Sequence, residues 1–234
     1  MNVHRIDRTA LVVAGIVGPT VAAVRFRHWS QRWGAEPKEI AAVLPGDELI
    51  PNPFYLTTRA ITIHASPPVV FAWLVQLGQG RGGFYTFDRL ENLVGLNIHS
   101  IDRIVPELQR VKVGDIVPLS AIGGPTVVEI KSGARLVLRF LMDPFTGKPL
   151  ERGGDESARR FDWTWAFALA PINGTDTRLI VRTRANYAPR ALIAALAANL
   201  VEPAHFIMER EMLRGIKRRA EASGTAVFVS QLAA

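Results

Sequence analysis

Residues 189–222, near the C-terminus, read PRALIAALAANLVEPAHFIMEREMLRGIKRRAEA. Alanine and leucine dominate this stretch and favour the α-helix, and Pro189 suits a first helical position, where its missing N–H costs nothing. Apolar residues recur three or four positions apart, as one helix face requires: Ile193, Leu196, Leu200, Ala204, Ile207, Met208, Met212, Leu213 and Ile216. We therefore predict one long helix, kinked at Pro203 and stopped at Ser223-Gly224. Its middle should pack against a sheet, and its arginine- and lysine-rich end should project into solvent.

The chain ahead of this helix contains several stretches that predict β-strands by their alternation and β-branched content. The predicted strands are 58–65, 116–119, 126–130, 136–141, 160–170 and 177–187. Short helices are predicted after the capping residue Ser66, at 87–94 and at 102–108, and Asn173-Gly174 predicts a hairpin. Because the later strands follow one another directly, the order favours an α+β fold with an antiparallel sheet. A curved sheet wrapped around the long C-terminal α-helix would enclose a cavity.

The two longest predicted strands separate aromatic from charged residues. Period-two alternation places one set of side chains on a single face, which we assign to the helix: Phe161, Trp163, Trp165, Phe167 and Leu169, with Leu179, Val181, Thr183, Ala185 and Tyr187 on the partner strand. Arg182 and Arg184 point to the other face, where we expect them to be solvated or paired with Asp162. These aromatic residues either line a cavity or fill it, and the pattern alone does not distinguish the two.

Composition narrows the classes of function. The chain has 234 residues, of which 48% are hydrophobic, enough for one domain with additional segments. It has no cysteine, which excludes disulfides and thiolate metal sites. The net charge is +7, and arginines cluster in the first 33 residues and again at the helix end. Such clusters suit an anionic membrane surface or nucleic acid, or are solvated helix surfaces. Nucleic acid is not expected, since no exposed aromatic residues alternate with the basic ones.

Residues 9–24 form a run without charges that arginines flank on both sides. As a helix this run covers roughly 24 Å, slightly less than a bilayer core. Phe26, Trp29 and Trp33 follow it and suit a membrane interface. The run is therefore predicted to be a membrane anchor; a cleaved secretory signal and a buried helix are the alternatives. More arginines lie on its C-terminal flank, which favours a single N-terminal span with the domain on the cytoplasmic face of the cell membrane.

These features divide the chain into four parts. Residues 1–28 are the anchor or signal, and 29–57 form an irregular strap with four prolines, one short helix near 38–43 and a turn at 44–48. The domain proper spans 58–222, and 223–234 is a loose tail. The N-terminal hydrophobic helix is expected to lie outside the domain.

The element order resembles the helix-grip fold of the START-like superfamily (SRPBCC), which includes polyketide cyclase/dehydrase and lipid-transport proteins. More specific signals are the segments RWGA at 32–35, LPGDE at 44–48, TTRAI at 57–61, QGRGGFY at 79–85 with LEN at 90–92, and EPAHFIMER at 202–210. In these segments the chain is similar to membrane-anchored bacterial members. The resemblance implies a hydrophobic pocket. It assigns no catalytic residues.

Residues 78–83, GQGRGG, match the G-x-G-x-x-G pattern of dinucleotide sites. That motif requires a preceding strand, whereas Ser66-Pro67-Pro68 predicts a helix there. We interpret the segment as a hinge at the pocket mouth, with Arg81 a candidate contact for an anionic head group. No cofactor is predicted.

Glu202-x-x-His205 has the spacing of a di-iron helix motif, but no second pair exists, so no metal is predicted. His205, oriented by Glu202, is a candidate proton donor or acceptor; the alternative is a structural salt-bridge network that includes Glu209. Tyr85 and Asp88 are further acid–base candidates, and the alternative roles there are helix caps, surface charges or pairs with arginines.

The favoured function is binding or transfer of a hydrophobic small molecule, such as a lipid, polyketide or isoprenoid, at a membrane. The expected ligand contacts are Trp73, Phe84, Tyr85, Trp163, Trp165, Phe167, Val181, Tyr187, Leu200, His205 and Met208. The first alternative is an enzyme of the cyclase or dehydratase kind that uses the acid–base candidates in the same cavity. The second is a protein-interaction domain with a filled core.

Overall fold

The structure, a computed structural model, describes residues 21–93, 95, 97–120, 123–146, 148–150, 159–188 and 202–232. Five strands form one antiparallel sheet in the order β1-β5-β4-β3-β2. Their bounds are Tyr55–Ile63 (β1), Thr126–Lys131 (β2), Arg135–Met142 (β3), Arg160–Pro171 (β4) and Thr177–Ala188 (β5). The longest antiparallel pair, β4 with β5, is joined by the predicted hairpin at Asn173-Gly174.

The helices of the described ranges are 21–31 (α1), Pro37–Ala41 (α2), Pro67–Val75 (α3), Asp88–Leu93 (α4) and Glu202–Leu232 (α5), with 3₁₀ turns at Asp47–Leu49 and Pro106–Gln109. Helices α3 and α5 pack on the inner face of this sheet, as the α+β helix-grip prediction requires. The long helix α5 packs against α3 and β1. No helix in these described ranges contains an apolar stretch that could cross a bilayer.

Three predictions about local structure were wrong, and one predicted segment lies outside the described residues. The strand predicted at 116–119 is reduced to an isolated bridge between Ile116 and Thr126. In place of the helix predicted at 102–108, the structure has a 3₁₀ turn at Pro106–Gln109. The stop predicted at Ser223-Gly224 is absent, since α5 runs on to Leu232. Residues 189–201, the first part of the predicted helix, lie outside the described residues, so Pro203 occupies the first described turn.

Ser223 explains why the helix does not stop where predicted. Its hydroxyl donates to the carbonyl of Arg219 one turn back (2.8 Å) and accepts the indole N–H of Trp73 (3.1 Å). A serine that bonds back to the i−4 carbonyl is accommodated inside a helix. The bond from Trp73 adds a tertiary contact at the same hydroxyl.

The inner face of the sheet carries the hydrophobic core, as the alternation predicted. Trp165 and Phe167 from β4, Leu179 and Val181 from β5 and Leu213 from α5 are at most 7% exposed. Each fully buried large apolar side chain contributes about 1.5–3 kcal/mol. Trp165 and Phe167 belong to the same core cluster as Leu213, so the aromatic face of β4 points toward α5, in agreement with the sequence prediction.

The basic end of α5, with the exception of the exposed Arg218, lies against the domain rather than in solvent, which corrects the prediction. Arg210 and Arg214 lie over the ring of Trp33, with guanidinium carbons 5.3 and 5.9 Å from its centre. Lys217 donates to the carbonyl of Thr62 (2.8 Å), and Arg219 lies 4.5 Å above the Tyr85 ring. Their methylene stems cover apolar surface while the charged heads find π-faces and carbonyl oxygens.

The strap covers the outer face of the sheet. Outward-facing side chains of β5 bind it in order along the strand: Arg178 pairs with Glu39, Arg182 with Asp47, and Arg184 donates to the carbonyl of Ile50. The expectation that Arg182 and Arg184 are solvated or paired with Asp162 is therefore wrong. Asp162 instead accepts two hydrogen bonds from Arg139 on β3 (3.0 and 2.8 Å).

Candidate functional site

A cavity of about 210 Å³ lies between the inner face of the sheet and α5. It exceeds the roughly 150 Å³ cavity that is known to hold benzene in an engineered protein. The lining is apolar except for Thr86, His205 and Glu209. Its other members are Phe84, Ile98, Leu119, Trp163, Trp165, Met208 and Met212. A void with this lining favours a small apolar guest.

The lining includes some of the ligand contacts predicted from the sequence and excludes others. Phe84, Trp163, Trp165, His205 and Met208 line the cavity. The remaining candidates belong to the packed core or to other parts of the chain: Trp73, Tyr85, Phe167 and Val181 are buried in the core, Tyr187 stacks on Phe161, and Leu200 lies outside the described residues. Residues that sequence reasoning did not select also line it: Thr86, Ile98, Leu119, Glu209 and Met212.

A buried ion pair borders the cavity. Arg59 on β1 donates from Nη1 to Oε2 of Glu209 on α5 at 2.5 Å, and both side chains are at most 1% exposed. The other carboxylate oxygen, Oε1, accepts the indole N–H of Trp165 (2.8 Å), while Nε of Arg59 donates to the carbonyl of Ser30 (2.8 Å). A fully buried charge pair persists only with such additional hydrogen bonds. The pair therefore joins α1, β1, β4 and α5.

The charge on Glu209 is retained despite its burial. Desolvation by itself would raise the pKa of this carboxyl, but the guanidinium of Arg59 and the hydrogen bonds from Arg59 and Trp165 outweigh it and hold the pKa below its ordinary value. A carboxylate held ionised in this way is a weak proton acceptor. The arrangement suits a fixed charge in the cavity wall better than a general base.

His205 lies between this ion pair and the cavity. Its Nδ1 is 3.4 Å from both Nη1 of Arg59 and the hydroxyl of Tyr55. A guanidinium can only donate, so Nδ1 carries the lone pair and the proton of the neutral ring is on Nε2. Burial lowers the pKa of His205, which favours the neutral ring; Glu209 opposes the shift and Arg59 adds to it.

Glu202 does not orient His205, in contrast to the sequence hypothesis. One of its oxygens accepts a hydrogen bond from the amide of Gln31 (2.5 Å), and the other lies 3.1 Å from Nε of Arg27. Glu202 therefore ties the start of α5 to α1. The described contacts fit the structural alternative, a salt-bridge network along the buried face of α5 that ends in the pair of Arg59 and Glu209.

Tyr85 and Asp88 serve the local structure, away from the cavity. The Tyr85 hydroxyl donates to the carbonyl of Trp73 (3.1 Å) and accepts from Gln76 (3.0 Å); burial raises the pKa of this phenol to about 12. Asp88 accepts hydrogen bonds from the backbone N–H and the hydroxyl of Ser100 (2.5 and 2.7 Å). Neither side chain lines the cavity with His205, so the four acid–base candidates do not converge.

The glycine-rich segment 78–83 follows α3 and closes on itself through paired backbone bonds between Gly78 and Gly83. The hinge is thus a tight loop without the strand that a dinucleotide site requires. Arg81 donates from Nε and Nη2 to the carbonyls of Leu77, Val75 and Leu108. The bonds to Val75 and Leu77 satisfy carbonyls at and just after the end of α3. Only part of the Arg81 guanidinium is then left to contact a head group.

Within the described ranges, no three carboxylate or histidine side chains lie close enough together to hold a metal ion. His64 and Asp176 form one pair at 3.3 Å near the hairpin end of the sheet. His205 and Glu209 form another, 3.6 Å apart, and here the carboxylate is already engaged by Arg59.

Fold and site together define an α+β protein of the helix-grip type with a small apolar cavity bordered by a buried ion pair. Neither a family model nor a curated protein sequence matches the chain. Among solved structures, a protein from Mesorhizobium loti is similar at 14% identity over 70% of this chain and 98% of its own, with a TM-score of 0.35. A hypothetical protein from Helicobacter pylori is similar at 11% identity over 80% of this chain and 99% of its own, with a TM-score of 0.40. A truncated norcoclaurine synthase from Thalictrum flavum is similar at 10% identity over 68% of this chain and 91% of its own, with a TM-score of 0.36.

Proposed function

We propose that this protein binds a small hydrophobic molecule in the cavity between its sheet and α5, as a member of the START-like superfamily. The observation that supports this most is the 210 Å³ void with an almost wholly apolar lining. Protein interiors are otherwise close-packed, and voids of this size are few. The void also counts against the alternative of an interaction domain with a filled core.

Direct detection of a guest tests this proposal. The full-length protein, purified without organic solvent, is analysed by native mass spectrometry and by extraction, and its binding of toluene is measured by titration calorimetry. Met208→Trp, which places a large ring on the cavity wall, should abolish binding. Ile207→Trp is the matched control, because Ile207 is the neighbouring residue on α5 and is exposed outside the cavity. Absence of any retained or added apolar guest in the unaltered protein would contradict the proposal.

The enzymatic alternative lacks a convergent set of groups. Of the predicted acid–base residues, only His205 lines the cavity. Glu202 is bound to Gln31 and Arg27, and Asp88 to Ser100. Proton transfer requires a donor and an acceptor within hydrogen-bond reach of one reacting atom. Binding or transfer of the guest therefore explains the site with fewer requirements than a cyclase or dehydratase does.

We further propose that the protein works at a membrane, through its N-terminal segment. Val21, Val24, Phe26 and Trp29 on α1 are each about half exposed, and Arg25 among them is exposed as well. Exposed aromatic and aliphatic side chains next to arginine suit a bilayer interface with anionic lipid. Most of the apolar run 9–24 precedes the described residues.

Two measurements on the full-length chain separate the possible roles of this segment. A spanning anchor keeps the intact chain in the membrane fraction after alkaline carbonate extraction. A cleaved signal shortens the mature chain, which intact mass measurement detects. A chain of full mass that carbonate releases completely would show that residues 1–28 do not span the membrane.

A further inference from the structure

Among the described residues that line the cavity, His205 has a buried ring nitrogen that makes no hydrogen bond. The hydroxyl of Thr86 donates to the carboxylate of Glu91, and both oxygens of Glu209 accept hydrogen bonds from protein donors. Nε2 of His205 is buried and has no hydrogen-bond partner among the described residues. The carboxylate oxygen Oε1 of Glu209 is 3.6 Å away and too distant for a hydrogen bond. A buried N–H without a hydrogen bond is costly, so a closer acceptor supplied by a guest would be favoured.

The surroundings of His205 decide what that partner can be. Because Arg59 and Tyr55 both approach Nδ1, Nε2 bears the proton and presents a donor. The ionised oxygen Oε1 of Glu209 lies 3.6 Å from Nε2. An anion placed against Nε2 would meet this carboxylate, whereas a neutral oxygen would not be repelled.

We propose that His205 sets the specificity of the cavity by donating a hydrogen bond from Nε2 to a neutral hydroxyl or carbonyl oxygen of an otherwise apolar guest. This inference rests on the proposed function and names the class of ligand for that same cavity. The guest is then an alcohol, phenol, ketone or ester of modest size rather than a carboxylate. His205 acts as a binding residue, with Arg59 and Tyr55 fixing its tautomer.

A matched pair of probes that differ by one hydroxyl tests the proposal. Titration calorimetry at pH 7 measures the binding of toluene, p-cresol and p-toluate to the full-length protein. We expect the ratio of p-cresol affinity to toluene affinity to fall about tenfold in His205→Leu, the loss typical of one hydrogen bond. His205→Gln, which keeps an N–H donor, should restore part of the ratio. Ile207→Leu, at an exposed position outside the cavity, should leave the ratio unchanged. The carboxylate p-toluate should bind the unaltered protein more weakly than p-cresol.

The outcomes separate this inference from the proposed function. If both neutral probes bind and their affinity ratio is the same in the unaltered protein and His205→Leu, the specificity role is wrong while the cavity still binds apolar guests. If neither probe binds the unaltered protein, both proposals fail. Should His205→Leu not fold, histidine ¹⁵N spectra of the unaltered protein decide: p-cresol, and not toluene, must shift the Nε2 resonance of His205.

Discussion

At the scale of single residues, Arg59 and Glu209 are the least expected feature of this molecule. Both occupy positions that the apolar register assigns to the core: Arg59 shares its strand face with Ile61 and Ile63, and Glu209 shares its helix face with Leu213. Opposite charges at core positions of two different elements are a sequence signal for a buried pair. That signal is present in the chain but does not say which charges meet.

Removing the charge of Glu209 should destabilise the protein strongly. Glu209→Gln leaves the Arg59 guanidinium fully buried without a counter-charge, and breaking a buried pair typically costs about 3–5 kcal/mol. Urea unfolding measures the change. Glu211→Gln is the control on the same helix, because Glu211 pairs with the exposed Arg218 and should cost less than about 1 kcal/mol. Equal costs for the two variants would refute the central role of the pair.

Acidification should destabilise the protein partly through His205. Burial lowers the pKa of this ring below its ordinary value of 6.5; Glu209 opposes the shift, and Arg59 adds to it. As the pH falls from 6.5 toward the folded-state pKa, the unfolded chain takes up a proton that the folded protein excludes. Stability therefore falls with decreasing pH, by up to about 1.4 kcal/mol per pH unit in that window.

Unfolding measurements at a series of pH values test this dependence. His205→Gln should show a shallower loss of stability between pH 7 and pH 5 than the unaltered protein does. His64→Gln removes an exposed histidine that pairs with Asp176, and it should retain the loss due to His205. A profile for His205→Gln that parallels the unaltered protein would show that this ring does not titrate on unfolding.

At the scale of elements, α5 is placed by one close approach. Gly215 lies against the backbone of Tyr85, where a Cβ would sit 2.3 Å from the carbonyl oxygen and 2.5 Å from the Tyr85 Cβ. Tyr85 itself adopts a positive φ of 60°. Only glycine allows the helix to pack this closely on the loop that precedes α4. The sequence predicts the helix but not this requirement, which exists only once the two segments meet.

Gly215→Ala should therefore destabilise the protein although alanine is the better helix former. Helix propensity favours the change by about 1 kcal/mol, whereas overpacking against backbone costs about 1–3 kcal/mol or more. We expect a net loss of stability in thermal unfolding. Ala222→Gly, at an exposed position of the same helix, calibrates the propensity effect. A stabilised Gly215→Ala variant would indicate that the helix and the loop do not pack as described.

At the scale of the whole molecule, the sheet is covered on both faces. Helices α3 and α5 and the cavity occupy the inner face, and the strap with its short helix α2 occupies the outer one. Arg182 is the main outer attachment: it is 2% exposed and donates to Asp47 and to the carbonyls of Glu39, Ile40 and Ala42. The strap is thereby bound to the outer face of the sheet through the side chain of Arg182.

Arg182→Met should release the strap while the inner core remains folded. Five hydrogen bonds, including one to Thr58, are lost together, and the partly buried Asp47 keeps Arg184 as its ion partner. Hydrogen exchange should show faster exchange of the amides of residues 36–50. Arg139→Met is the control, because it breaks an ion pair with Asp162 on the same face without touching the strap. Similar strap exchange in both variants would argue against this attachment.

Local periodicity was sufficient to predict the four longest described strands, the aromatic inner face of β4, the hairpin at Asn173-Gly174 and the middle of α5. These features follow from interactions between residues close in sequence and from the burial of one face. The partners of Arg59, Arg182 and Glu202, the burial of the basic end of α5, and the lining of the cavity were decided by tertiary structure alone. A buried charge or a void is defined by groups from distant segments, and no local pattern encodes their distances.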